Sequence, residues 1–101
     1  MKNYVYLFYV QTAFEDTAEG NAAWMAWFES LGDKVVDGGK PFNPKAEARI
    51  KDGVVDMDAD AVAGYTIVKA ESLEAAVEMA KTCPLATAPD CWVKVYETMP
   101  M

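Results

Sequence analysis

The most constraining feature of this sequence is a strand near its start that is apolar on both faces. Between residues 3 and 11, both sets of alternating positions are apolar or aromatic: Tyr4, Tyr6, Phe8 and Val10 in one set, Val5, Leu7 and Tyr9 in the other. A strand with one face in water shows polar residues at every second position. This strand therefore needs cover on two faces, and the helices of the same chain can supply only one.

Two amphipathic helices supply that first cover. Residue Asp16 is the expected N-cap of the first helix, with Glu19 three residues later as in a capping box. The second helix is expected to start after an N-cap at Ser72 and to stop at Pro84. Each has an apolar stripe with the spacing i, i+3, i+4 and i+7, namely Trp24, Trp27, Phe28 and Leu31 in the first and Leu73, Ala76, Val77 and Ala80 in the second.

The remaining strands are predicted at residues 34–37, 64–69 and 91–97, with a hairpin at 46–58. The hairpin turn is Asp52-Gly53, a pair favoured in two-residue turns of the mirror-image type. Pairing outward from that turn places Ile50 opposite Val55 and Arg49 opposite Asp56.

The order strand, helix, strand, inserted hairpin, strand, helix, strand predicts an α+β fold. It is a ferredoxin-like β-α-β-β-α-β antiparallel sheet with both helices on one face. The 101 residues have room for a single domain spanning 1–101. The other face of the sheet is left apolar and uncovered, which favours a homodimer with a two-fold axis.

Charge and hydropathy exclude several partners. The net charge of −7 repels phosphate backbones and anionic lipid surfaces, so we expect no nucleic acid as a partner. The apolar runs are too short to cross a bilayer, so we expect no membrane partner. The first residues lack the features of a secretory signal, which predicts a cytoplasmic protein in which Cys83 and Cys91 are reduced packing residues.

Three stretches of the chain resemble the YCII-related family, including its DGPF-type branch. They are WMAWFESLGD at 24–33, VVDGGKPF at 35–42, and GYTIV at 64–68 followed by SLEAA at 72–76 and CP at 83–84. The resemblance covers nearly the whole chain. It implies a dimeric α/β-barrel, in which two ferredoxin-like sheets pack face to face and each subunit has a cleft between sheet and helices.

The chain departs from this family at the residues that carry its chemistry. The better-understood relatives are associated with a histidine beside an acidic residue, and this chain has no histidine. The Asp-Gly-Pro-Phe signature is also missing, since residues 56–63 read DMDADAVA. The resemblance therefore implies the fold but not a catalytic dyad.

The lack of histidine also excludes a Ser-His-Asp triad, a histidine-ligated haem and most zinc sites. The alternating acids Asp56, Asp58 and Asp60 are typical of the start of an EF-hand calcium loop. However, the sixth and twelfth positions of that loop would be Ala61 and Ile67 instead of Gly and Glu. We therefore expect no metal and no cofactor.

The best candidate for chemistry is Asp37, which ends a short strand and precedes Gly38-Gly39, where backbone can approach a ligand closely. Buried beside the aromatic helix face, it could act as an acid or base; the alternative is a turn residue that binds local amides. Further candidates for a binding site are two tyrosines, two tryptophans of the first helix and one glycine of the pair: Tyr6, Tyr65, Trp24, Trp27 and Gly39.

Two hypotheses follow, and the sequence leaves open whether the protein is an enzyme. In the first, it is a YCII-like protein of unknown function that binds a small molecule without catalysis or has only a structural role. In the second, it is a lyase-like or oxygenase-like enzyme, by analogy with the family, with Asp37 as acid or base. An open cleft that holds Asp37 favours the enzyme, and a closed core favours the non-catalytic protein.

Overall fold

The computed structural model of the chain describes residues 1–10, 18–43, 46–56 and 62–100. The elements are β1 (Lys2–Val10), α1 (Ala18–Leu31), a 3₁₀ turn (Gly32–Lys34), β2 (Val35–Asp37), β3 (Arg49–Lys51), β4 (Val54–Asp56), β5 (Val62–Ala70), α2 (Leu73–Ala80) and β6 (Cys91–Glu97). Their order and type agree with the α+β prediction. The expected N-cap Asp16 lies outside the described residues.

Four strands form one antiparallel sheet in the order β2-β5-β1-β6. The two long strands, β1 and β5, are its centre, and each of the outer strands pairs with one of them. The sheet and its two helices are compatible with a ferredoxin-like α+β fold.

The helix-side face of the sheet is the core. On this face β1 contributes the buried Tyr4, Tyr6 and Phe8, and β5 contributes Thr66, Val68 and Ala70. The opposite, open face contains half-buried residues at the alternate positions of the same strands. They are Val5, Leu7 and Tyr9 of β1 and Tyr65, Ile67 and Lys69 of β5. The two sets of β1 thus face in opposite directions, as the alternation predicts.

The helices pack on the core through most of their predicted stripes, but Leu73 of the α2 stripe is 48% exposed. Residues Trp27 and Leu31 of α1 and Ala76 and Ala80 of α2 are buried. The N-cap prediction for α2 is confirmed, because the Ser72 hydroxyl accepts a hydrogen bond from the Ala75 amide at 3.1 Å. In the described part of the chain, no helix has both the length and the apolarity to cross a membrane.

Among the described strands, β3 and β4 pair with each other in a separate two-stranded sheet. Their register places Arg49 opposite Asp56 and Ile50 opposite Val55. Both turn residues, Asp52 and Gly53, have positive φ angles of 53° and 77°, as a mirror-image two-residue turn requires. The apolar side chains of this hairpin are exposed, Ile50 to 73%.

Candidate functional site

The six predicted site residues lie in two separate groups. The first group packs on the helix side of the sheet and consists of Tyr6, Trp24 and Trp27. The second lies at the β2 end of the sheet, around β5, and consists of Asp37, Gly39 and Tyr65. The sheet separates the two groups, so the structure does not bring all six residues into one cleft.

The first group forms part of the aromatic core. The Trp27 indole lies 6.0 Å from the Tyr6 ring and 6.1 Å from the Phe8 ring, and Trp24 meets Phe8 edge to face at 5.1 Å. These rings pack against one another between β1 and α1. Because Tyr6 and Trp27 are both buried, their side chains act as core residues and are not exposed to a ligand in solution.

The polar atoms of these core aromatics have partners on or just after α2. The Tyr6 hydroxyl donates a hydrogen bond to the Ala76 carbonyl. The Trp27 indole N–H donates to the Met79 carbonyl at 3.1 Å and to the Thr82 hydroxyl at 3.0 Å. Burial, with a smaller contribution from Cys83, raises the pKa of Tyr6 to about 12. The Tyr6 bond joins α2 to the sheet, and the Trp27 bonds join α1 to α2 and to Thr82 just after it.

The second group is built around an exposed carboxylate. One oxygen of Asp37, Oδ1, accepts a hydrogen bond from the Gly39 amide at 2.8 Å, which is the local contact of an aspartate turn. The other, Oδ2, accepts from the Tyr65 hydroxyl at 3.2 Å. This bond raises the pKa of Tyr65, because the hydrogen bond and the negative charge of Asp37 both favour the neutral phenol.

The segment after β2 is held tightly against β5. The Thr66 hydroxyl donates to the Gly38 carbonyl at 3.0 Å, and the Phe42 amide donates to the Ala63 carbonyl at 2.7 Å. A Cβ at Gly39 would lie 1.6 Å from the Tyr65 carbonyl oxygen. The close backbone approach at this glycine therefore serves contact with β5.

A cavity of about 390 Å³ opens beside Tyr65. Its lining comes from the segment after β2, the approach to β3 and the start of β5: Lys40, Pro41, Phe42, Asn43, Ala46, Glu47, Val62 and Tyr65. The Phe42 and Tyr65 rings stack with centroids 5.9 Å apart and an interplanar angle of 29°. We call this the Tyr65 cavity. It has apolar walls with a few polar groups, which is typical of small-molecule sites.

Sequence reasoning found Tyr65 but missed Lys40, Phe42 and Glu47. The available signal was their position within ten residues of Asp37 and the Gly38-Gly39 pair. The Gly38-Gly39 pair allows the segment after β2 to lie against β5. The residues that follow the pair are therefore held near β5 as well.

A second cavity, of about 460 Å³, lies between α2 and the edge strand β6. Its lining is almost entirely apolar, including Leu73, Val77, Val93 and Val95. Its charged lining residue, Lys81, pairs with Glu78 of α2 at 2.9 Å. This groove contains none of the predicted site residues and offers few groups to orient a ligand, so we place the candidate site at the Tyr65 cavity.

The acidic side chains and the two cysteines are the other groups that could bind a metal or react. Within the described ranges, no three Cys, Asp or Glu side chains cluster as metal ligands would, while Asp58 and Asp60 fall outside those ranges. The cysteines Cys83 and Cys91 are free thiols. Burial raises the pKa of the Cys83 thiol, which opposes formation of a reactive thiolate.

No protein-family profile matches the chain, and no curated protein sequence matches it.

Proposed function

We propose that this chain is a YCII-like protein that forms a homodimer and binds a small molecule, without catalysis, in the Tyr65 cavity. The observation that carries the binding proposal is the cavity itself, whose lining combines the stacked Phe42 and Tyr65 rings with the charged residues Lys40 and Glu47. A small number of polar groups on an apolar wall orients a ligand while burial supplies affinity. The closed aromatic core on the helix side supports a non-catalytic role.

The open face of the sheet supports the homodimer. Its central residues Val5, Leu7 and Ile67 are half-buried, and on β6 the large rings of Trp92 and Tyr96 are exposed. A largely apolar face of this kind, with Lys69 and Lys94 as its charged members, is typical of an interface. Two ferredoxin-like units, each with the β3–β4 hairpin as an insertion, would pack these faces together as a dimeric α/β-barrel.

Mass measurement tests the dimer. Light scattering should give twice the 11.1 kDa of one chain. The variant Leu7→Lys, on the open face, should shift the mass toward that of one chain. The control Met25→Lys places the same charge on the exposed side of α1, where Met25 is 64% exposed, and should leave the mass unchanged. A single-chain mass for the unaltered protein would contradict the dimer.

Thermal shift tests the small-molecule site. A metabolite screen should yield ligands that raise Tm, and Phe42→Ala should abolish the shift. The control is Leu73→Ala in the α2–β6 groove, because Leu73 and Phe42 have similar exposures of 48% and 44%. Retained shifts in Phe42→Ala, with loss in Leu73→Ala, would move the site to that groove.

One observation favours an enzyme as the second candidate function. The Tyr65 hydroxyl is a titratable partner for Asp37 at 3.2 Å, and general acid–base catalysis uses carboxylates and phenols in this way. In this proposal Asp37 accepts a proton from a bound substrate in a lyase-like or oxygenase-like reaction. The variant Asp37→Asn should keep ligand binding and lose turnover, whereas a purely binding protein has no turnover to lose.

A further inference from the structure

The charged groups around the Tyr65 cavity are predominantly acidic. Among the described residues, the Asp37 and Glu47 carboxylates and the Lys40 ammonium lie on or next to its wall. The net charge of the chain is also −7. Long-range potential therefore attracts cations to this cavity and opposes anions.

The cavity wall offers a second attraction for a cation. Aromatic ring faces carry partial negative charge and attract ammonium groups within about 6 Å of the ring centre. The Phe42 and Tyr65 rings stack against each other in the wall, and Phe42 is 44% exposed. The same rings contribute apolar area for the body of a ligand. An amine on an aromatic body can use both attractions together.

The open-face lysines Lys69 and Lys94 do not offset this bias, since Lys69 lies four residues from Tyr65 on β5, about 13 Å along the strand. Residue Lys94 is separated from Tyr65 by the strand β1, because Leu7 pairs with both of them. Two strand spacings amount to about 10 Å, which exceeds the screening length of about 8 Å at physiological salt. The Lys94 ammonium also lies over the Tyr9 ring, 5.3 Å from its centre. Its charge therefore acts mainly at Tyr9.

We infer that the Tyr65 cavity selects organic cations, specifically ligands with a protonated amine on an aromatic body, over the corresponding anions. This inference rests on the proposed small-molecule function of the same cavity. The Glu47 carboxylate is the charged contact for the amine, and the Phe42 and Tyr65 rings contact its aromatic body.

Three probes with similar bodies test the selectivity: phenethylamine, 2-phenylethanol and 3-phenylpropionate. Binding is followed by amide and aromatic NMR shifts during titration to millimolar concentration. The amine should bind more tightly than the alcohol, and the alcohol more tightly than the carboxylate. Because an exposed charge contact contributes little free energy, the affinity should fall by about two- to five-fold from amine to alcohol and again from alcohol to carboxylate. The shifts should centre on Phe42, Glu47 and Tyr65.

Charge variants distinguish a direct contact between the amine and Glu47 from attraction by the overall negative charge of the chain. The change Glu47→Gln should reduce amine affinity about two- to five-fold, while Lys40→Gln should raise it. The control Glu29→Gln makes the same charge change on the exposed side of α1 and should have little effect. An equal loss in Glu29→Gln and Glu47→Gln would overturn the assigned contact.

The outcomes distinguish this inference from the proposed function. If the carboxylate binds in the cavity as tightly as the amine, the cation preference is wrong and small-molecule binding still holds. If no probe shifts the Phe42 and Tyr65 resonances at millimolar concentration, the inference fails. The metabolite screen alone then decides the proposed function.

Discussion

The Tyr65 hydroxyl donates a hydrogen bond to Asp37 Oδ2 at 3.2 Å, linking residues 28 positions apart in the chain. The other oxygen of the same carboxylate holds the Gly39 amide. Asp37 thus fixes both the turn after β2 and the phenol at the cavity wall. Because the pair is exposed, its importance lies in orienting Tyr65 more than in stability.

The first prediction concerns the pKa of Tyr65. The change Asp37→Asn should lower this pKa toward its ordinary value, since the carboxylate that raises it is gone. Titration of ring-labelled tyrosine by NMR measures this midpoint, with Tyr65→Phe to identify the signal. The control Asp33→Asn removes a carboxylate from the neighbouring 3₁₀ turn and should leave the midpoint in place. An unchanged midpoint in Asp37→Asn would show that the hydrogen bond does not form in solution.

The second prediction concerns adjacent glycines. Gly39→Ala should destabilise the fold by about 2–4 kcal/mol, because its φ is +77° and a Cβ would overlap the Tyr65 carbonyl oxygen. Gly38→Ala is the matched control, since a Cβ there meets nothing within 4 Å, and it should cost less than about 1 kcal/mol. Urea unfolding of both variants measures the difference. Similar losses in the two variants would contradict the tight contact with β5.

Most of the fold could be predicted because it depends on patterns that are local in sequence. Alternation in β1, the Asp52-Gly53 turn and the Ser72 N-cap each act within a few residues. The order of elements then restricts the topology. The apolar alternation on the open face predicts a need for cover, but a single sequence does not identify what supplies it.

The location of Asp37 shows why the site was harder to predict. Val35 pairs with Val68 on the helix side, and regular alternation would place Asp37 on that same side. The pairing of β2 with β5 shifts register between these residues, so that Asp37 pairs with Ile67 of the open face. An irregularity of this kind reverses the side on which a residue lies. The sequence could not reveal it, and Asp37 therefore lies beside Tyr65 and away from Trp27.

The third prediction concerns the aromatic core. Trp27→Ala should cost about 3–5 kcal/mol, because it removes a buried ring and its two hydrogen bonds to Met79 and Thr82. Trp24→Ala should cost less, since Trp24 is only half-buried. Denaturant midpoints of the two variants give the comparison. If Trp24→Ala were the more damaging, Trp27 would not be the central contact between the helices.

The fourth prediction concerns stability at alkaline pH. The pKa of Tyr6 is about 12 in the folded chain, mainly because of burial, and near its ordinary value of about 10 when unfolded. The unfolded state thus releases the Tyr6 proton first as pH rises. The stability contributed by this group is complete below about pH 10 and is lost progressively up to about pH 12.

The variant Tyr6→Phe isolates this contribution. At pH 8 it should be less stable by about 1–2 kcal/mol, because it lacks the hydrogen bond to the Ala76 carbonyl. Between pH 10 and 12 its free energy of unfolding should fall less steeply than that of the unaltered protein, since one proton fewer is released on unfolding. Urea unfolding at a series of pH values gives both slopes.

Tyr65→Phe is the comparison, because Tyr65 also has a raised pKa but lies at the cavity wall, where Asp37 is the main cause. Parallel slopes for Tyr6→Phe and the unaltered protein would mean that the buried phenol ionises without loss of the fold, which contradicts its place in the closed core.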